Sequence, residues 1–505
     1  MAPDSTPARI DLDPRWTVGD VDPRLFGSFV EHYGRCVYTG IYEPEHPTAD
    51  AEGFRGDTAE LVRELGVPIL RYPGGNFVSS YQWEDGIGPR DKRPVRLDGN
   101  WRALEDNQVG TDEFLSWTKR VGSEAMMAVN LGNRGTQAAM DLVEYCNHPS
   151  GSYWSDLRRA NGYKDPHDVR VWCLGNEMDG LHQVGHKTAY EYGRLAAETA
   201  KAMRMIDPGL ELVACGSLHP RVATAFSWES EVLEHSYEFI DYLAIHAYYE
   251  QRGEDRDSFL AAAIDMDRFI ESIVATLDFA KARGRHKKQV NISFDEWNVW
   301  YNDAGEVAGQ DFRKAPRQSE NMYNVADAVV VGNLLISLLK HADRVKMGCL
   351  AQLVNAIAPI HTEPGGAAWR LPTFHPFALT SAHGRGTVLN TLVTSPRYET
   401  RWFGPDTPQL DAVAVRAEDG ESVTVFAVNR SRESALPVEV DLRGFPGLTR
   451  VSQVVLADED PEATNTAERP DRVVPRSVSG ARVDGGTLSA LLPPLSWNML
   501  TVRAA

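Results

Sequence analysis

Eight apolar runs of strand length, each followed by a longer segment with helical spacing, constrain this chain more than any other feature. They occupy residues 25–30, 67–72, 125–131, 169–174, 210–217, 242–247, 290–294 and 347–354. Between them, segments such as 58–65 (TAELVREL) and 188–205 place apolar residues at helical intervals with charges between. Continuous apolar strands alternating with such helices mark a parallel sheet covered by helices. Eight repeats predict an α/β fold, a (β/α)₈ TIM barrel, with the long segments after strands one, two and seven becoming loops over its active face.

From about residue 385 the texture changes. Residues 412–417 and 422–429 alternate apolar and polar side chains around Asp419-Gly420, a strong short hairpin signal. Residues 438–442, 451–456, 486–492 and 496–502 continue the strand pattern. Residues 385–505 are therefore expected to form an antiparallel β-sandwich, jelly-roll-like in kind, behind a barrel over 19–384. Residues 1–18, which include the extended run ARIDLD, are expected to pack with that sandwich.

With 505 residues the chain is long enough for a large core, and 41 glycines with 29 prolines keep it far from disordered or collagenous composition. A net charge of −19, with Lys92-Arg93 and His286-Lys287-Lys288 the densest basic spots, argues against nucleic acid and anionic membrane as partners. The most apolar stretch, 328–339, is broken by Asn333 and Ser337 and is too short to span a bilayer. Cys36, Cys146, Cys173, Cys215 and Cys349 are odd in number, scattered and never in a C-x-x-C pair, so neither a disulfide framework nor a zinc knuckle is expected. The first residues lack a basic then apolar leader pattern, and the reading is cytoplasmic.

The chemistry is expected at the carboxyl ends of the barrel strands. Strand four ends Trp172-Cys-Leu-Gly-Asn176-Glu177 and strand seven ends Ser293-Phe-Asp295-Glu296-Trp297, so each delivers one glutamate to the same face. Two carboxylates over one pocket divide the labour of glycoside hydrolysis, and a pair about 5 to 5.5 Å apart works through a covalent intermediate. Taken alone, Asn-Glu after a strand also fits a helix cap followed by a solvated glutamate. Strand alternation turns Asp295 away from Glu296, towards helix packing or loop pinning.

The runs Gly175-Asn176-Glu177-Met178-Asp179-Gly180, Asp295-Glu296-Trp297-Asn298-Val299-Trp300, Arg71-Tyr72-Pro73-Gly74-Gly75-Asn76 and Ala351-Gln352-Leu353-Val354-Asn355, with residues 27–45, 107–113 and 126–132, carry a resemblance over essentially the whole barrel. Together they resemble the α-L-arabinofuranosidases of glycoside hydrolase family 51, clan-A barrels followed by a β-sandwich. That resemblance implies Glu177 as acid/base and Glu296 as nucleophile. It implies Glu31, Asn76, Asn176 and Gln352 as partners of the sugar hydroxyls, Tyr248 as a contact of the nucleophile, and His246, ranked below it, beside the site. Trp101 and Trp300 match aromatic residues that shape the entrance and the sugar-facing wall. For Glu31 an ion pair with Arg35 or Arg71 is the competing explanation. Leu181-His182 replaces the family's common Pro-Trp, and Glu250-Gln251-Arg252 also departs, which leaves the aglycone side and the linkage open.

The resemblance implies a retaining, exo-acting enzyme that releases terminal arabinofuranosyl units from arabino- or arabinoxylo-oligosaccharides, needs no cofactor, and assembles as a homo-oligomer, often a hexamer. The alternatives are a related retaining barrel acting on β-D-xylosides or β-glucans, and a carbohydrate-binding protein on an inactive barrel, which Glu177 and Glu296 together disfavour. No metal is expected: His182 and His186 are spaced for one helical face but no H-E-x-x-H pattern accompanies them, and His361 and His375 lie in no ligand motif. Nucleotide binding has no support, since Pro73-Gly-Gly lacks the phosphate-loop pattern.

Overall fold

The computed structural model describes residues 7–302 and 309–504. The eight runs form Gly27–Phe29, Ile69–Tyr72, Glu124–Val129, Val171–Leu174, Glu211–Cys215, Tyr242–Tyr249, Asn291–Val299 and Val345–Leu350, which pair in parallel, in chain order, and close into a barrel. Every neighbouring pair is parallel because each crossover carries helical structure on the outside, as with Gly56–Leu65 after strand one and Ala189–Ile206 after strand four. The interior is filled by Ile69, Met126, Cys173, Val213, Met347 and Cys349, so the barrel is a packed core below its active face. All five cysteines are buried and unbridged.

The C-terminal strands form two sheets. Seven strands run in the order Thr17–Asp20, Thr387–Leu389, Leu410–Arg416, Ser422–Asn429, Ser496–Ala504, Leu448–Leu456, Arg476–Val478. Five run Leu392–Thr394, Ala8–Asp11, Leu436–Asp441, Thr487–Leu492, Arg482–Asp484. The expected hairpin joins Leu410–Arg416 to Ser422–Asn429, with Gly420 at a φ of +72° that glycine adopts without strain. The N-terminal run ARID lies between Leu392–Thr394 and Leu436–Asp441, and its pairing with the latter is parallel, a departure from the all-antiparallel expectation. Sandwich pairs that are adjacent in sequence are antiparallel hairpins; this strand arrives from the far end of the chain and is free of that constraint.

The apolar stretch at 328–339 lies within the helix Val325–Lys340, buried on every side and packed against both the barrel and the seven-stranded sheet. Its two polar interruptions are both hydrogen-bonded, Asn333 across the seam to the sandwich and Ser337 to a barrel helix. Asn333 Nδ2 donates to Asp411 Oδ2 at 2.8 Å while Asn333 Oδ1 accepts from Arg430, and Ser337 donates to the Ala263 carbonyl at 3.2 Å. No helix among the described residues is long and apolar enough to cross a membrane.

Candidate active site

The carboxyl ends of the strands open into a cavity of about 860 Å³. Strand seven is the longest of the barrel and carries Glu296 into it. One extra residue is inserted in this strand against both neighbours: Ala244 to His246 faces Ser293 to Glu296, and Gly348 to Leu350 faces Phe294 to Trp297. Such a bulge breaks the alternation of side chains. Asp295 is consequently turned into the barrel with Glu296, which corrects the expectation of helix packing or loop pinning. Its buried carboxylate accepts from Cys173 Sγ at 3.7 Å and lies 3.1 Å from His246 Nε2 and 3.6 Å from Arg71 Nε.

Glu177 stands just beyond strand four, after Gly175 at φ +87°, and itself has a φ of +45°. Left-handed backbone is strained for a residue with a side chain and persists where the surroundings enforce it. Here a turn closes on Gly180 N–H to the Glu177 carbonyl at 2.8 Å, and no helix follows until Ala189–Ile206. Asn176 therefore caps nothing. Its Oδ1 accepts from Arg71 Nη2 at 2.7 Å, and its Nδ2 has no protein partner. The other nitrogen of that fork, Arg71 Nη1, donates to Glu296 Oε1 at 2.6 Å. Tyr248 donates to Glu296 Oε2 at 2.8 Å, and burial together with the charge of Glu296 pushes its phenol well above the ordinary range, so it remains a donor.

His246 joins the carboxylates, with Nδ1 2.8 Å from Glu177 Oε1 and 3.7 Å from Glu296 Oε2. Burial disfavours its charge, but Glu296, Asp295 and Glu177 outweigh it and push the imidazole up to about 10. Burial likewise opposes the charge of Glu177, and the partnership of His182 and His246 overcomes it, holding the carboxyl down to about 2. Both shifts favour the ion pair, with the proton on the ring. Glu177, His246 and Glu296 also offer donor atoms within 4.8 Å of one another, the grouping among the described residues with metal-ligand spacing. Arg71 already supplies a fixed positive charge to Glu296 there.

The floor is built on Glu31, just after strand one. It accepts from Phe77 N–H at 3.0 Å, Trp101 Nε1 at 2.9 Å and Gln352 Nε2 at 2.7 Å. No arginine pairs with it: Arg35 holds Glu320, and Arg71 holds Glu296. Burial pushes its carboxyl up to about 8. Gln352 Oε1 is left without a partner. Asn76 opens the short 3₁₀ turn Asn76–Ser79 and accepts from Gln183, whose amide also lies 3.3 Å from Glu177 Oε2. Trp101 stacks on Tyr33 at 3.9 Å, and Trp300 stands edge-on to Tyr248 at 5.0 Å. Glu31, Asn76, Trp101, Glu177, Tyr248, Glu296, Trp300 and Gln352 all line the cavity, whereas Asn176 and His246 stand immediately behind its wall.

Models described as "Alpha-L-arabinofuranosidase 1 domain" and "Alpha-L-arabinofuranosidase C-terminal domain" match residues 61–282 and 295–496. A Streptomyces lividans protein named intracellular exo-alpha-(1->5)-L-arabinofuranosidase is 58% identical over 98% of this chain and 75% of its own length. A Bacillus subtilis protein, intracellular exo-alpha-(1->5)-L-arabinofuranosidase 1, is 53% identical over 98% of this chain and 99% of its own. The solved structure of AbfB, a family 51 α-L-arabinofuranosidase from Bifidobacterium longum, superposes with a TM-score of 0.94 at 46% identity, covering 99% of this chain and 100% of that one. The chain belongs to the family 51 α-L-arabinofuranosidases.

Against that family background the loop after strand four carries one of the two departures. Residues 181–188 form turns, not the helix that would align His182 with His186. Leu181 is fully outward, 88% exposed, while His182 lines the cavity with Nε2 3.8 Å from Glu177 Oε2. Sequence reasoning passed over Arg71, Asp295 and Gln183 as site residues. The signal for Arg71 was present, since an arginine inside an apolar parallel strand must meet acids across the barrel. Asp295 was hidden by the bulge, and Gln183 by an irregular loop.

Proposed function

We propose that this chain is a retaining, exo-acting α-L-arabinofuranosidase that removes terminal arabinofuranosyl units from arabino- or arabinoxylo-oligosaccharides inside the cell. The observation that carries the mechanism is the approach of Glu177 and Glu296, with oxygens within 4.8 Å across one buried pocket. This spacing leaves no room for a water held between base and sugar. Glu296, oriented by Arg71 and Tyr248, attacks the anomeric carbon as the glycosidic C–O bond breaks. Glu177 delivers to the leaving oxygen the proton it shares with His246; the arriving sugar excludes water, which favours the neutral carboxyl. The arabinosyl ester on Glu296 is then displaced by water that Glu177 deprotonates.

Glu31, Gln352, Asn76 and Trp101 close the inner end, which supports exo action because only a chain terminus fits a closed floor. The unpaired Oε1 of Gln352, a cavity-lining side chain, is suited to a furanose hydroxyl. Family membership gives no support to the β-D-xyloside or β-glucan alternative, and the names of the relatives favour an intracellular setting. We also propose a homo-oligomer, a hexamer in the family's common form; sedimentation showing only single chains would contradict it.

Rates on the 4-nitrophenyl α-L-arabinofuranoside, β-D-xyloside and β-D-glucoside test the substrate, with cleavage confined to the first expected. Proton NMR of early product tests the mechanism. The α-furanose should precede its β-anomer, and methanol should yield the α-methyl glycoside. Initial β-anomer would sink the double displacement. Since two carboxylates and a cationic sugar transition state leave a divalent ion no role, exhaustive chelation should not change the rate. Loss on chelation with recovery on adding one metal would turn Glu177, His246 and Glu296 into ligands.

A further inference from the structure

The cavity wall around the acid/base carries basic side chains, with Arg221 and Arg252 the fixed charges among those named next. His182 comes from the loop after strand four, His219 and Arg221 from that after strand five, and Arg252 from that after strand six. The strand-five loop is fastened to the loop of Glu177, because Leu218 N–H donates to both oxygens of Asp179 at 2.9 and 3.1 Å. A general acid stands beside the leaving oxygen, so whatever lies beyond that oxygen rests among these side chains. Arg221 is exposed, and its guanidinium has no ion-pair or hydrogen-bond partner among the described residues. Arg252 lies over the Trp402 ring, its guanidinium carbon 5.6 Å from the centroid. The opposing charge is Glu250, 3.5 Å from Arg252 Nε, and both side chains of that pair are open to solvent at 58% and 40% exposure. The other acids of the cavity, Glu31, Glu177 and Glu296, belong to the hydrolytic end. On a chain of net charge −19, a rim with an uncompensated arginine attracts an anion only at short range, which makes it a selector rather than a long-range funnel.

We propose that the aglycone side of this cavity takes a uronosyl residue, its carboxylate received by Arg221 and Arg252. The proposal rests on the reading of Glu177 as acid/base. It is tested with arabinofuranosyl disaccharides whose acceptor is the methyl glycoside of galacturonic acid, carboxylate free, or the same glycoside with that carboxyl esterified by methanol and so uncharged, compared by kcat/KM. 4-Nitrophenyl α-L-arabinofuranoside serves as the reference substrate. The uronate should be preferred on the order of fivefold at low salt, less at high salt, and the Arg221→Gln/Arg252→Gln double variant should bring the ratio to about one. Because the readout is a ratio within one preparation, partial unfolding of a variant does not move it. A ratio at or below one in the parent chain overturns the proposal, as does a preference that the double variant retains. Failure to cleave the reference substrate would instead overturn the arabinofuranosidase reading beneath it.

Discussion

In the proposed mechanism Glu177 meets two demands in turn, and removing its carboxylate separates them. Glu177→Ala should lose cleavage of poor leaving groups while the first step survives for activated aryl glycosides, and turnover should then stall at the ester. Added azide should restore it and give the arabinosyl azide; equal losses for good and poor leaving groups, with no azide effect, would remove the acid/base assignment. Glu31 poses a different test. Its carboxyl has risen from 4.5 to about 8, so the folded state holds that proton more tightly than the unfolded chain. The associated stability is complete below about pH 4.5 and is lost as pH rises towards 8, at up to about 1.4 kcal/mol per pH unit. Glu31→Gln is accommodated if Gln352 turns its amide, since Gln352 Oε1 has no partner. It should flatten the fall in urea-denaturation stability between pH 5 and 8; an unchanged slope would place the proton elsewhere. His246, raised to about 10, loses its own contribution between 6.5 and 10 in both proteins, so the difference isolates Glu31. The two glutamates were legible because strand ends mark chemistry in this architecture, and the residues proposed for the sugar hydroxyls were legible only through the family resemblance. The paired roles of Arg71 and Asp295 were not, because they depend on which way a side chain turns at a bulge.

The helix Val325–Lys340 shows what periodicity conveys at the scale of an element. Apolar all round, it offers no stripe to say which face meets the core, because both faces do. Gly332 marks its tightest approach to the sandwich: a Cβ added there would lie 2.2 Å from Trp497 Cδ1. Gly332→Ala should therefore cost about 1 to 3 kcal/mol, seen as a lower urea midpoint with unchanged slope. A neutral result would mean that the seam is looser than described. The eight barrel strands were plain from sequence, because buried parallel strands are continuous apolar runs, whereas short strands such as Thr387–Leu389 and Arg482–Asp484 were not. Strand length was less plain. Strand seven extends to Val299, past two acids and an asparagine that no hydrophobic pattern would include, since Asn298 is satisfied by the carbonyls of Ala351 and Ile357 at 2.6 Å each.

For the whole molecule, the seam makes barrel and sandwich mutually dependent. A chain ended at residue 384 would expose the outer face of Val325–Lys340 and leave Asn333 without Asp411 and Arg430. Such a fragment should aggregate on expression, and recovery of a soluble, cooperatively melting barrel would contradict the dependence. The strand near the start of the chain has a further consequence, in time. Ala8 pairs with Val438, so a ribosome must make 430 more residues before Ala8–Asp11 meets its parallel partner, about 20 to 90 s at bacterial rates. The barrel strands have all been made by then, but their seam with the sandwich has not closed. The strand near the start waits unpaired with that partner beside an unsupported barrel, open to proteases and chaperones, and the last sheet to emerge is what finally stitches it down.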